Sequence, residues 1–407
     1  MKNIKWAPVI PLAGGFPLGA EMAIGSPPEF VASYEGFWGN DSQYMNYQNN
    51  VLGKNLDYIN FTKNEDFKSK VNITVCTPPC AGLSQLNLGK TPEVKGAGCA
   101  KNEWMYQVLK DSIERLAADV VITENAPALS TNKGMPVAAE LYRIAKYYGY
   151  SLSLYKTSTH FHGLPQRRDR TFALAWKSKT APVLNWYDLE RKTFKDYLLD
   201  IPESASQQDI VVNPKVVTEP YYQFIQYKLG KHDVREDIVT MTNTSFDWVN
   251  DNGLLAEANE WFKATNNEAG IKYSDHAIKK FAQGLGIWNG SVHVFEDVMN
   301  AVIGRNLSDT IHPTQDRSLT IREAIHMMGM PHDYELVGGR PKTNMLAQNV
   351  PTCTAACIVK EAMKFLNGEL EMSNHDFVFQ NNWNKKIDYS RSSDYNKQSV
   401  TLEELIE

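Results

Sequence analysis

Cys80 stands directly behind two prolines in Cys76-Thr-Pro-Pro-Cys80, at the end of the β-branched run Val71–Val75. Prolines remove backbone donors and freedom, so such a turn presents a thiol in one direction instead of packing it away. A thiol held this way is a candidate nucleophile. Glu124-Asn125-Ala126-Pro127 follows a second apolar run, Ala118–Thr123. A carboxyl half-buried at a strand end gains a raised pKa and can donate a hydrogen bond while neutral, although a helix N-terminal acid gives the same pattern. In Gln166-Arg-Arg-Asp-Arg170, three arginines in four positions make a local cationic site suited to phosphate. Alternation into the following strand points Arg168 and Arg170 to one side. Gly14-Gly15 follows Val9-Ile10 and lets backbone approach a ligand closely. It lacks Gly-x-Gly-x-x-Gly, but Glu35 lies roughly 20 residues on, where an acid can take ribose hydroxyls.

These residues need elements to hold them. Apolar positions at helical spacing predict helices from Trp104 to Leu116, Pro136 to Tyr148, Thr320 to Met328 and Thr352 to Leu366. Leu319-Thr320 ahead of Arg322-Glu323 reads as a capping arrangement. Strands are expected at Val71–Val75, Ala118–Thr123, Tyr150–Tyr155 and Thr171–Trp176. Strands alternating with helices predict an α/β fold with a doubly wound parallel sheet, whose ligands sit beyond the carboxyl ends of the strands. The unusual motifs fall at those ends. Between about Lys177 and Asp309 this rhythm is lost and Asn, Asp and Gly become frequent, which predicts an inserted, irregular second domain. The polar stretch Asn374–Gln398 reads as a loosely ordered extension.

Composition narrows the class. The 407 residues carry 43% hydrophobic and 22% charged residues, so the chain is expected to be globular. No apolar run reaches the ~20 residues of a membrane span, and no leader is recognisable. Five cysteines, an odd and sparse set, point to a reducing cytoplasm. The spacings Cys76/Cys80 and Cys353/Cys357 are poor zinc pairs, and Leu83 stands where a zinc deaminase would need its second cysteine, so no metal is expected. A net charge of −5 gives no global pull toward nucleic acid, so any such contact must be local.

Taken in order, the segments resemble the DNA (cytosine-5) methyltransferases. Thr77-Pro-Pro-Cys-Ala-Gly-Leu-Ser84 is similar to that family's nucleophile loop, Glu124-Asn125 to its Glu-Asn-Val motif, and Gln166–Arg170 to its Gln-Arg-Arg-x-Arg motif. Arg317–Glu323 with Gly329-Met-Pro-His332, and Asn349-Val350-Pro351, are similar to its later elements. The resemblance implies a Rossmann-like fold dependent on S-adenosylmethionine and a flipped-out cytosine in double-stranded DNA as substrate. Cys80 would add to C6, Glu124 would bind N3 and the exocyclic amine, and Asn125 would hold the loop. Arg168 would favour the thiolate and Arg170 would bind the sugar-phosphate. The cofactor would lie against Leu12, Gly14, Gly15, Glu35, Asp57, Pro79 and Asn349. Residues 81–98 would form a lid. The same resemblance implies a catalytic domain at 1–180, target recognition at 181–312, a return to the catalytic domain at 313–370, and a C-terminal extension at 371–407. A monomer in a bacterial or phage-infected cytoplasm is expected.

The chain departs from the pattern at Ile10, Leu12, Ala81 and Ala347-Gln348, mostly around the cofactor loop. Ordinary divergence accounts for this; a modified sulfonium donor, or cytosine-5 methylation of RNA, are the alternative readings. A thymidylate synthase-type enzyme would have no need of Glu124-Asn125 or a recognition domain. A non-enzymatic descendant would be expected to have lost Cys80 or Glu124.

Overall fold

The computed structural model describes residues 3–35, 56–80, 82–84, 91, 94–202, 209–287, 291–304, 307–336 and 342–391. Its strands are β1 (Trp6–Val9), β2 (Val31–Ser33), β3 (Tyr58–Asn60), β4 (Ile73–Cys76), β5 (Val120–Asn125), β6 (Ser151–Ser158), β7 (Gln166–Arg167), β8 (Asp169–Trp176), β9 (Met299–Asn300), β10 (Phe377–Asn381) and β11 (Lys386–Asp388). Nine of them form one sheet in the order β11-β10-β6-β8-β5-β4-β1-β2-β3. β1, β4 and β5 are buried along their whole length. That requires cover on both faces, and successive side chains supply it alternately. Val121 joins the cluster under helices α2 (Glu103–Glu114) and α3 (Met135–Tyr147), whereas Val120 and Ile122 join the cluster on the other face. That second face is covered by α1 (Gly15–Ile24) and by a helix from much later in the chain, Thr352–Asn367.

β1 is the switch point. The chain moves from it to β2 and β3 on one side, and to β4 and β5 on the other, all parallel. One row of residues crosses the whole sheet: Ile59, Ala32, Val9, Cys76, Thr123, Ala173, Leu154, Phe379 and Asp388. The residues with chemical character lie just beyond this row, on the side where β1, β4 and β5 end.

β8 corrects the expectation of a parallel sheet, because it runs antiparallel between β5 and β6. The connection from Ser158 to Asp169 is too short to carry a crossover helix, so the strand must fold back. This reversal brings Arg170 to the carboxyl end of β5.

The segment after β8 is not irregular. Helices α4 (Phe194–Leu199), α5 (Pro220–Leu229), α6 (Arg235–Val239), α7 (Ser245–Asp251), α8 (Leu255–Ala264) and α9 (Glu268–Ala282) fill it. Tyr221, Tyr222, Trp248 and Phe262 build a separate core between residues 216 and 311. Several of its polar residues, which read as turn formers, are helix caps. Thr244 accepts from the Asp247 N–H and Asn267 from the Gly270 N–H.

The chain then re-enters the sheet domain through α10 (Ile321–Met327), α11 (Lys342–Ala347) and α12 (Thr352–Asn367). The expected capping arrangement is present, as Thr320 and Glu323 form a reciprocal capping box. The stretch expected to be a loose extension is corrected in part: β10 pairs with β6 and β11 with β10. Phe377 and Val378 are buried there, one on each face of the sheet. Residues 392–407 lie outside the described residues. No helix among the described residues is long and apolar enough to cross a membrane.

Candidate active site

Two loops flank the switch point. After β1, Ile10 and Leu12 take left-handed φ values of 58° and 53°, followed by Gly14 at 99°. A β-branched residue rarely adopts that region, so surrounding contacts must hold it there. Gly14 N–H closes a turn onto the Pro11 carbonyl at 2.9 Å, and the Tyr334 hydroxyl donates to the Ala13 carbonyl at 2.5 Å. Gly15 N–H donates to Oδ1 of Asn349 at 2.9 Å. A Cβ on Gly15 would sit 2.2 Å from the Val350 carbonyl oxygen, so only glycine fits this approach.

Asn349 is itself fastened. Its amide contacts Met330 Sδ at 3.0 Å, and its carbonyl accepts from Arg168 at 2.9 Å. Arg168 also donates to the carbonyls of Val302 at 2.9 Å and Ala347 at 2.6 Å. Gln166 spends its amide likewise, donating to Met327 O at 2.7 Å and accepting from Val302 N–H at 3.1 Å. The motif expected to bind phosphate therefore divides its labour. Gln166 and Arg168 clamp three distant backbone segments together, and Arg167 and Arg170 are left for other work.

After β4, Thr77 to Cys80 carries the thiol past the edge of the sheet, where Cys80 is half-buried. Glu124, at the end of β5, is buried, and its Oε1 lies 2.5 Å from Nε of Arg170. Strand pairing explains the meeting. Glu124 faces Phe172 across the ladder, and Arg170 lies two residues from Phe172 on the same face. Three charges act on the Cys80 thiol. Burial pushes its pKa up, the charge of Glu124 adds to this, and Arg170 and Arg168 oppose it. Arg168 acts in the direction expected of it, toward the thiolate, but burial and Glu124 outweigh it and the net direction is upward. Asn125, on the opposite face, accepts from the Ala126 N–H at 2.9 Å and braces the turn after the strand.

The other expected residues separate. Pro79 is half-buried beside Cys80. Glu35 is exposed just beyond β2, and its carboxylate lies 2.9 Å from Nζ of Lys63. Asp57 immediately precedes β3, at the amino end of that strand, where its carbonyl accepts from the Val31 N–H at 2.9 Å. The polar residue at the carboxyl end is Asn60, whose Oδ1 accepts from the Thr62 and Lys63 N–H groups. The sequence reading placed no strand there and gave no signal for it. Tyr334 was also missed, because nothing local marks a tyrosine 321 positions from its acceptor. Much of the expected lid, including Ala81 and Gly89, lies outside the described residues. Among the described residues no group of His, Cys, Asp and Glu side chains could hold a metal ion.

Comparison with known proteins agrees with this architecture. The Entamoeba histolytica methyltransferase EhMeth superposes with a TM-score of 0.54 at 11% identity, covering 90% of this chain and 99% of that one. An Escherichia coli prophage-encoded protein assigned as a DNA modification methyltransferase gives 0.54 at 16% identity, covering 89% and 99%. At these identities the likeness concerns the fold alone. The type II methyltransferase M.Bpa9945I of Bacillus paralicheniformis is 23% identical over 329 residues, which are 74% of this chain and 72% of that protein. Residues 12–364 match the family described as C-5 cytosine-specific DNA methylase. With the match spanning most of the chain, this protein belongs to the C-5 cytosine-specific DNA methylase family.

Proposed function

We propose that the protein transfers a methyl group from S-adenosylmethionine to C5 of a cytosine flipped out of double-stranded DNA, with Cys80 as a covalent nucleophile. The observation that carries this reading is the gathering of Cys80, Glu124 and Arg170 at one sheet edge, beside the loop after β1. C5 of cytosine is too electron-poor to attack an alkyl donor unaided. Bond formation between Cys80 Sγ and C6 makes the ring an enamine and C5 a nucleophile. Glu124, steadied by Arg170, hydrogen-bonds the N3 side of the ring and stabilises charge developing there. After transfer, loss of the C5 proton to solvent expels the thiolate and restores the aromatic ring. The base must leave the stack to reach this edge, at a cost of a few kcal/mol.

The residues present fit the cofactor. The crevice at the switch point is bounded by the turn Leu12–Gly15, where the backbone adopts glycine-like angles even at Leu12. It is bounded also by the exposed carboxylate of Glu35 at the end of β2. Leu12, Gly14, Gly15, Glu35 and Pro79 would hold S-adenosylmethionine, with Asn349 acting through Gly15. When bound, the cofactor supplies an electrophilic methyl group. The thiol, held protonated in the free protein, would release its proton to solvent as the base arrives. Residues 181–312, which include the separate core between 216 and 311, are the candidate target recognition region.

Nucleoside mass spectrometry of DNA incubated with the protein and S-adenosylmethionine tests this, beside Cys80→Ala. The expected result is 5-methylcytosine that disappears in the variant while DNA binding persists. Methylation of RNA alone, or a product mass other than methyl, would overturn the substrate or the donor respectively.

A further inference from the structure

Arg167 is exposed and has no carboxylate within ion-pair distance among the described residues. Every other arginine among the described residues either meets a carboxylate or, as Arg168 does, is buried against backbone carbonyls. The Arg167 guanidinium lies instead over the indole of Trp383, 4.9 Å from the ring centroid. Trp383 is 36% exposed, and the rings of His160 and Phe161 stand edge-on to it at 4.9 Å and 5.1 Å. The turn carrying Trp383 continues through Lys385 and Lys386, both exposed and both without a carboxylate partner among the described residues. In a chain of net charge −5, one cation on an exposed indole and two more on the turn that follows it make a local basic feature.

Position gives this patch its meaning. β10 is parallel to β6, and both run in the direction of β5, so Trp383 leaves the sheet at the edge where Glu124 ends. It lies four residues beyond the row that crosses the sheet, as Cys80 does. Three strand spacings separate β10 from β5, about 14 Å. That is a few nucleotides along a DNA strand. Of the acids whose charge reaches His160, Asp297 is already taken by Arg191 at 2.7 Å and 2.9 Å, and Asp169 and Asp188 remain.

From this arrangement we infer that the β10–β11 hairpin and Arg167 form a DNA contact flanking the target base. Arg167, Lys385 and Lys386 meet phosphates, and the Trp383 indole packs on an adjoining sugar or base. The inference rests on the reading that the substrate is DNA. It assigns a binding role to the polar C-terminal segment, which the sheet carries to the substrate edge. Guanidinium on indole is well suited to this task, since the ring holds the fork in place without satisfying its hydrogen-bond donors.

Binding of the full-length protein to a random-sequence DNA duplex, titrated against salt, tests the contact. Removing one phosphate contact lowers the slope of log K against log salt by about one, so Arg167→Gln is expected to show that loss. Trp383→Ala is expected to weaken binding about tenfold with little change in slope, and Trp383→Phe to recover most of it. If Trp383→Ala unsettles β10, Arg167→Gln still decides, because its side chain is exposed. Wild-type affinity and slope in Arg167→Gln overturn the inference while leaving the proposed activity intact. Failure of the wild-type protein to bind DNA at all would remove the substrate reading first.

Discussion

Two of the carboxyl groups shielded from water in this molecule have opposite surroundings. Glu124, at the end of β5, meets the Arg170 guanidinium beside a thiol. Glu219 caps α5 in the helical region, where it accepts from the Tyr222 N–H at 2.9 Å and the Ser245 hydroxyl at 2.8 Å. No cation neutralises it, its Oε1 lacks a hydrogen bond, and burial pushes its pKa up to about 7. A shielded, shifted carboxyl is therefore no mark of catalysis by itself. The sheet edge matters because strands from distant parts of the chain end there together. Glu219 is a structural cap whose charge is expensive.

The comparison can be broken by exchanging charge for amide at each position. Glu124→Gln is expected to lower the transfer rate by roughly 10²–10³, as removal of a group that stabilises developing charge does. Glu219→Gln should leave the rate per folded molecule unchanged. Single-turnover methylation measures both, and equal losses would erase the distinction. Stability should show the reverse. With its pKa raised on folding, Glu219 contributes stability that is fully present below about pH 4.5 and is lost as pH rises toward 7. The total is up to about 3 kcal/mol, and denaturant unfolding of Glu219→Gln should lack this fall between the two pH values.

Gly15→Ala sharpens the packing side of the contrast. A methyl group facing the Val350 carbonyl at 2.2 Å should cost about 1–3 kcal/mol and weaken cofactor binding, readable by unfolding and by calorimetry. The smallest effect concerns the thiol. Alkylation of Cys80 should accelerate with pH through a midpoint above that of free cysteine. Arg170→Gln should move that midpoint further up, because Arg170 opposes the shift. A midpoint at or below the free value would contradict the balance of charges.

Legibility followed the range of the interactions. Helices α2, α3, α10 and α12 lie within two residues of the bounds expected from spacing, because apolar period and caps are local. The capping box at Thr320 and Glu323 was readable for the same reason. The helices between residues 220 and 282 were not, since Asn and Thr serve caps and turns equally well. Asp57 was named from the resemblance alone, and only the strand register shows that it stands at the amino end of β3.

The sequence by itself marked the candidate residues, their order, and that Cys80 and Glu124 stand at the ends of strands. Those are properties of short segments, and propensity and spacing act within them. Only the tertiary structure decided which of them meet. Gly15 and Asn349 lie 334 positions apart, and Arg168 reaches Asn349 across 181. Arg170 reaches Glu124 because β8 turns back beside β5, and Arg167 meets Trp383 because β10 joins β6. Such pairings depend on strand order and direction, which the packing of the whole sheet selects and no local stretch encodes.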